Sequence, residues 1–107
     1  MSVAVSVEQL FAQISSWGFG YLVTVSDDAR THVIALTPVP VDGELLRFDA
    51  GGGRACRNAS TRRQVSIVFP PAATSDGFSL IVDGEATVDG SFVEVRPTSA
   101  VLHRPAP

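Results

Sequence analysis

The stretch LLRFDAGGGRACRNASTRRQVSIVFPP, residues 45–71, decides the fold, because it places a strand on either side of a glycine turn and a short helix. Residues 45–49 have the apolar character of a strand, and three consecutive glycines follow after Ala50. Residues 54–63 have no strand pattern but can form a short helix. Residues 64–69 alternate between two faces until a pair of prolines ends the run. The stretch therefore predicts a strand, an inserted helix and a second strand.

A helix is predicted near the start of the chain. From Ser6 to Trp17 apolar residues recur at helical spacing, and Ser6 forms a capping-box pair with Gln9. Gly18 is typical of a residue that ends a helix. We expect this helix to pack its apolar side onto a sheet.

Runs of apolar and β-branched residues between turn sequences predict six strands. They are residues 19–25, 32–36, 45–49, 64–69, 79–88 and 91–96. Asp42-Gly43 and Asp89-Gly90 are hairpin signals, Gly84 predicts a bulge, and residues 97–107 are expected to form an extended tail. The first three strands are expected to lie side by side in chain order. Short turns between six strands favour a mainly β, antiparallel barrel over an alternating parallel α/β sheet.

Length and composition limit the classes of protein. A chain of 107 residues with 45% hydrophobic residues is expected to form one domain over residues 1–107. No apolar run reaches the roughly 18 residues that cross a bilayer, and no secretory signal begins the sequence, so we expect a cytoplasmic protein without a membrane partner. The net charge of −3 argues against a nucleic-acid partner. One cysteine and two histidines predict no metal site.

The arginines are the most informative charges. All eight cations are arginines, and four of them lie within ten residues, namely Arg54, Arg57, Arg62 and Arg63. Glycines let backbone N–H groups approach an anion, a helix N-terminus adds partial positive charge, and arginines donate two hydrogen bonds at once to a phosphate. The segment is compatible with a site for a phosphate-bearing ligand. It is equally compatible with a tight turn followed by a solvated helix face.

Side chains for direct catalysis are not evident, and the catalytic residues are unknown. Cys56 has no histidine near it in the sequence, His32 and His103 are isolated, and Asp27-Asp28 is typical of a turn. If the protein catalyses a reaction, we expect a cofactor to carry the difficult step.

Together with YLVTVSDDARTHVIALTPV (residues 21–39) and GFSLIVDGEATVDGSFVEVRPTSAVLHRP (residues 77–105), the opening stretch resembles the pyridoxamine phosphate oxidase-like, FMN-binding split-barrel family. The resemblance covers residues 10–105 and is closer to small actinobacterial members. It implies a six-stranded antiparallel split β-barrel and a homodimer with its cofactor at the subunit interface. It further implies an oxidoreductase that uses FMN or a deazaflavin on an unknown small molecule.

The resemblance also implies which residues bind the cofactor. The phosphate end maps onto the glycine turn and the inserted helix, at Gly52, Gly53, Arg54, Arg57 and Asn58. The flavin ring maps onto backbone of residues 33–36 and 65–68, which include Val33, Ile34, Ala35 and Ser66.

Two positions depart from the pattern of the family. Members that hold the cofactor firmly often have a hydroxyl residue where this chain has Ala50, and a lysine where it has Ala55. Arg54 could supply the missing charge from the adjacent position. The alternative is a non-catalytic split-barrel module that binds a flavin, haem or another planar ligand weakly, or that has lost the cofactor.

Overall fold

The computed structural model describes residues 1–107, which form eight strands and two α-helices. The strands are β1 (Ser2–Val5), β2 (Gly20–Val25), β3 (Thr31–Leu36), β4 (Val39–Val41), β5 (Leu45–Asp49), β6 (Gln64–Phe69), β7 (Ser79–Asp89) and β8 (Phe92–His103). The helices are α1 (Val7–Gln13), which continues into a 3-10 turn (Ile14–Ser16), and α2 (Gly53–Thr61). None of the helices has the length and apolar character needed to cross a bilayer.

All strands belong to one curled antiparallel sheet in the order β3-β2-β6-β7-β8-β5-β4, and β1 pairs with the far half of β8. The predicted mainly β, split-barrel class and both helices are confirmed. The capping box of Ser6 and Gln9 is present at the start of α1. Leu10 on this helix is fully buried against the sheet, as the helical spacing predicts.

The third predicted strand, β5, does not continue the hairpin of β2 and β3, so the expected order of the first three strands is wrong. It pairs with β4 through the turn at Asp42-Gly43, and on its other side with residues 92–95 of β8. Two prolines explain the change. Pro38 and Pro40 follow β3, and neither has the backbone N–H group that would be needed to continue pairing in the middle of a sheet. The chain leaves β3 there and crosses to the opposite end of the sheet.

The structure adds two strands to the predicted six and lengthens the last one. β1 and β4 have four and three residues, too few for a clear alternation. β8 runs through Pro97 to His103, where an extended tail was expected. Pro97 is tolerated because it lies opposite Gly84, where the register between β7 and β8 shifts and the predicted bulge is found.

The core fills the concave side of the sheet. Its largest fully buried side chains come from α1 and from five strands, and they include Leu10, Leu22, Phe48, Ile67, Phe69 and Val93. The inner face of α2 adds Ala55, Cys56 and Ala59. This packing places α2 against β7 and β2, with further contacts to β3 and β8.

Candidate functional site

The helix α2 begins without a side-chain cap. Its N-cap is Gly52 (φ 78°, ψ −150°), and Gly53, the first helical residue, has φ 74°. These left-handed conformations suit glycine, and a Cβ at either residue would point into open space. The first N–H groups of a helix have no partner within it, so the backbone donors at this end of α2 point outward without a side-chain acceptor.

Two faces of α2 have different roles. Ala55, which is 2% exposed, faces the core together with Cys56 and Ala59, whereas Arg54 and Arg57 are exposed. Residues three apart lie on the same face of a helix, so the two guanidinium groups extend from one side of α2. The position at which Ala55 departs from the family pattern is thus occupied by a core residue.

The side chain of Asn58 is turned inward. Its Nδ2 atom donates a hydrogen bond of 3.1 Å to Oγ1 of Thr24 on β2, and both residues are buried. Asn58 was predicted to contact a cofactor phosphate. In the structure its amide nitrogen joins α2 to β2, so it positions the helix that carries Arg54 and Arg57.

A cleft of about 310 Å³ lies between α2 and the turn that connects β2 with β3. Its lining residues, which define the arginine cleft, are Ser26, Asp28 and Arg30 from the turn, Thr31 from the start of β3, and Arg54, Arg57 and Asn58 from α2. Arg54 and Arg57 form no ion pair, since the five ion pairs of the chain involve the other arginines only. The structure therefore brings two guanidinium groups that form no ion pair to one concave surface.

The other two arginines of the sequence cluster are used elsewhere. Arg62 donates from Nη2 to the backbone carbonyl of Asp27 over 3.3 Å, which links the end of α2 to the β2–β3 turn. Arg63 pairs with Glu85 over 3.1 Å and donates from Nε to the carbonyl oxygen of Ala86. Of the four clustered arginines, Arg54 and Arg57 therefore line the cleft, whereas Arg62 and Arg63 bind other parts of the chain.

The strand β3 leads away from the arginine cleft. Thr31 lines the cleft, and Val33 and Ala35 follow on the same exposed face, about 7 and 13 Å further along the strand. Val33 is 53% exposed, whereas the side chain of Ile34 packs toward the core, so only the backbone of Ile34 could meet a ligand. Since β3 pairs with β2 alone, its other backbone edge has no strand partner.

Ser66 lies apart from the arginine cleft. It is on the same sheet face as Val33, separated from it by Val23 of β2, which places it roughly 10 Å away across two strand spacings. Its hydroxyl donates to Oδ1 of Asp83 over 2.6 Å. Both residues line a separate depression, so the predicted site residues do not all meet at one place.

The outer sheet face is apolar over several strands. We use this name for the exposed and half-exposed apolar side chains Tyr21, Val23, Val25, Val33, Val68, Ile81 and Val101. Tyr21 is 39% exposed, and its ring meets that of Phe19 edge to face at 5.4 Å. Contiguous apolar surface of this kind is typical of interaction sites.

Sequence reasoning missed the contribution of the β2–β3 turn. Residues 26–30 were predicted as a polar turn, which the structure confirms, but nothing in their spacing places them against α2. Arg30 and Thr31 line the cleft because the β2–β3 hairpin packs against α2, as the hydrogen bond from Arg62 to the carbonyl oxygen of Asp27 also shows.

Comparison with known proteins identifies relatives and fold neighbours. No protein-family model matches the chain. The uncharacterised proteins Mb0449c of Mycobacterium bovis and MT0457 of Mycobacterium tuberculosis are each 37% identical to it, over 95% of this chain and 82% of the relative.

Solved structures with lower identity share the fold. An FAD-binding protein from Mycobacterium smegmatis has a TM-score of 0.68 at 22% identity, over 97% of this chain and all of the other. An F420 reductase has a TM-score of 0.67 at 19% identity, over 83% and 93% of the two chains. A proposed pyridoxamine 5'-phosphate oxidase from Listeria innocua has a TM-score of 0.69 at 17% identity, over 92% and 98%.

Proposed function

This chain belongs to the family of the mycobacterial proteins Mb0449c and MT0457 and has the pyridoxamine phosphate oxidase-like split-barrel fold, and we propose that it is a flavin-dependent oxidoreductase. Its ligand would be a flavin-type cofactor, FMN, FAD or a deazaflavin such as F420, held by its phosphate in the arginine cleft. The proposal extends to this chain what the names of its fold neighbours state, an FAD-binding protein and an F420 reductase.

One observation carries the proposal. Arg54 and Arg57 line a cleft together with Thr31, and neither arginine has an acidic partner. Unpaired guanidinium groups at a concave surface are well suited to phosphate, because each can donate two hydrogen bonds to it in a fixed geometry. The uncapped N-terminus of α2 lies just before Arg54. It adds backbone N–H donors, whose partial positive charge also attracts an anion.

The rest of the ligand would extend along β3. From Thr31 the exposed side chains of Val33 and Ala35 form an apolar path, and the free backbone edge of β3 offers hydrogen-bonding groups. A planar ring with polar edges fits such a surface, since its face contacts apolar side chains while its edge pairs with the backbone. Ser66 lies on β6, so it would contact only a ligand that extends from β3 across β2 to β6.

The chemistry would belong to the cofactor. When bound, a flavin-type ring supplies the transfer of a hydride or electrons to a small molecule. The residues of the chain contribute binding and orientation, because the cleft contains no cysteine or histidine and the one thiol, Cys56, is buried on the inner face of α2. The substrate is not specified by these residues.

A homodimer would complete the site. The outer sheet face leaves Val33 and Tyr21 exposed beside the path that the ring would follow. A second copy packed on this face would bury apolar surface and cover the ring at the same time. We therefore place two equivalent cofactor sites at the subunit interface, in line with the resemblance.

A non-catalytic binding module is the second candidate. Asp28 brings a carboxylate into the arginine cleft, and the buried Ala55 supplies no charge, so the site holds an anion less firmly than one with a lysine at that position. Weak binding of a flavin, haem or another planar ligand would be enough for a protein that transports or stores that ligand.

The decisive measurement is cofactor binding. We expect the purified protein to bind FMN, FAD or F420 in fluorescence titrations, and a protein that binds none of them would refute the proposal. Catalysis is then tested with the chemically reduced cofactor and a quinone as electron acceptor. Faster reoxidation in the presence of the protein supports an oxidoreductase, whereas binding without acceleration supports the second candidate.

A further inference from the structure

A third arginine shares the cleft with Arg54 and Arg57. Arg30 belongs to the β2–β3 turn, and its Nε atom lies 3.4 Å from Oδ2 of Asp28. The two side chains are 86% and 69% exposed. An ion pair exposed to this extent contributes little and is easily exchanged for a stronger partner. The guanidinium of Arg30 is therefore available to a ligand.

Three guanidinium groups that each bind two oxygens would have to share the three free oxygens of a single terminal phosphate group. Each guanidinium binds best when two of its N–H groups meet two phosphate oxygens. Arg54 and Arg57, three residues apart on one helix face, can share a single phosphate group. Arg30 reaches the cleft from the opposite wall, so its best partner is a second phosphate group. Since Asp28 offsets one of the three cations, the remaining charge suits two singly charged, esterified phosphates.

The arginine cleft continues into a second, polar groove. This groove has a volume of about 510 Å³, and it shares Ser26, Asp28, Arg57 and Asn58 with the cleft. Its additional residues are Asp27, Ser60 and Thr61, and none of the lining residues is hydrophobic. A ligand that ended at its first phosphate would leave the polar groove unused.

The polar groove suits a sugar. Carboxylates accept hydrogen bonds from sugar hydroxyls, and in dinucleotide sites an acidic residue binds the ribose in this way. A tail that carried carboxylates would instead be repelled by Asp27 and Asp28. The groove therefore favours a neutral, hydroxyl-bearing group linked to the second phosphate.

We propose that the arginine cleft binds the diphosphate of a flavin dinucleotide, with Arg30 as the residue that selects it over a mononucleotide. The nucleoside ribose then lies in the polar groove and the flavin ring on β3. The placement of the ring rests on the proposed function, whereas the contact between Arg30 and the second phosphate is testable without a flavin.

Isothermal titration with FMN, FAD, ADP and AMP tests the inference on the wild-type protein, on Arg30→Ala and on the control Arg96→Ala. Arg96 is another exposed arginine with a weak ion pair, but it lies on β8, outside the cleft. We expect FAD to bind more tightly than FMN, and ADP more tightly than AMP. Arg30→Ala should weaken FAD and ADP by about tenfold or more and change FMN by less than about twofold. Arg96→Ala should change none of them.

The outcomes separate this inference from the proposed function. Equal affinity for FMN and FAD, unaffected by Arg30→Ala, would overturn the dinucleotide inference and leave flavin binding intact. ADP binding that depends on Arg30 in a protein that binds no flavin would support the diphosphate site and refute the flavin function. A circular dichroism spectrum identical to that of the wild type shows that the variant keeps the fold.

Discussion

The Nδ2 atom of Asn58 on α2 lies 3.1 Å from Oγ1 of Thr24 on β2. These are the two buried residues of the chain that have polar side chains. The hydrogen bond joins the helix that carries Arg54 and Arg57 to the strand that leads into the β2–β3 turn. It therefore holds the two walls of the arginine cleft together.

We expect Asn58→Ala to lower the free energy of unfolding by about 1–3 kcal/mol, because the hydroxyl of Thr24 loses its partner in a buried environment. Thr24→Val should have a cost of the same order, and the double variant should cost less than the sum of the two. Urea denaturation measures all three. Ser60→Ala, at an exposed position of the same helix, is the control. Strictly additive effects would show that the two side chains are not coupled.

Arg54→Ala combined with Arg57→Ala should weaken flavin binding by more than about a hundredfold, since two charge-assisted hydrogen bonds cost roughly 3 kcal/mol or more. The stability of the fold should stay unchanged, because neither side chain has a protein partner. The matched control removes two arginines outside the cleft, Arg63 and Arg96. If both double variants reduced affinity equally, the effect would come from net charge and not from the cleft.

Val33→Asp should shift the protein from dimer to monomer, because a carboxylate would be buried in an apolar interface on the outer sheet face. We expect the dimer dissociation constant to rise by more than about tenfold in light scattering over a range of concentrations. Val39→Asp is the matched control, since Val39 is 62% exposed on β4 at the opposite end of the sheet. A wild-type protein that is monomeric at every concentration would contradict the shared site.

Gly84→Ala should destabilise the fold by about 1–3 kcal/mol, because the new Cβ would lie 2.7 Å from the backbone oxygen of Arg96 and against the side chain of Val95. The backbone of β8 cannot move aside without disturbing the bulge opposite Pro97. Thermal unfolding measures the change, with Thr87→Ala at an exposed position of β7 as the control. An unchanged melting temperature would mean that β8 adapts at the bulge.

Features encoded by neighbouring residues were predictable. The capping box of Ser6 and Gln9, the hairpin turn at Asp42-Gly43 and the bulge at Gly84 depend on local backbone preferences, and all three are present. The inserted helix was predicted close to its observed bounds for the same reason. What failed was the position of β5, because strand order depends on which distant strand is free to pair.

The candidate site was only half predictable. The sequence by itself determined that arginines follow a glycine turn at the start of a helix, since this is a matter of spacing within one segment. Only the tertiary structure decided that Arg54 and Arg57 face a cleft while Arg63 pairs with Glu85. The physical reason is that a helix turns each side chain in a fixed direction, but the partner it meets there comes from a remote part of the chain that the packing of the sheet brings alongside.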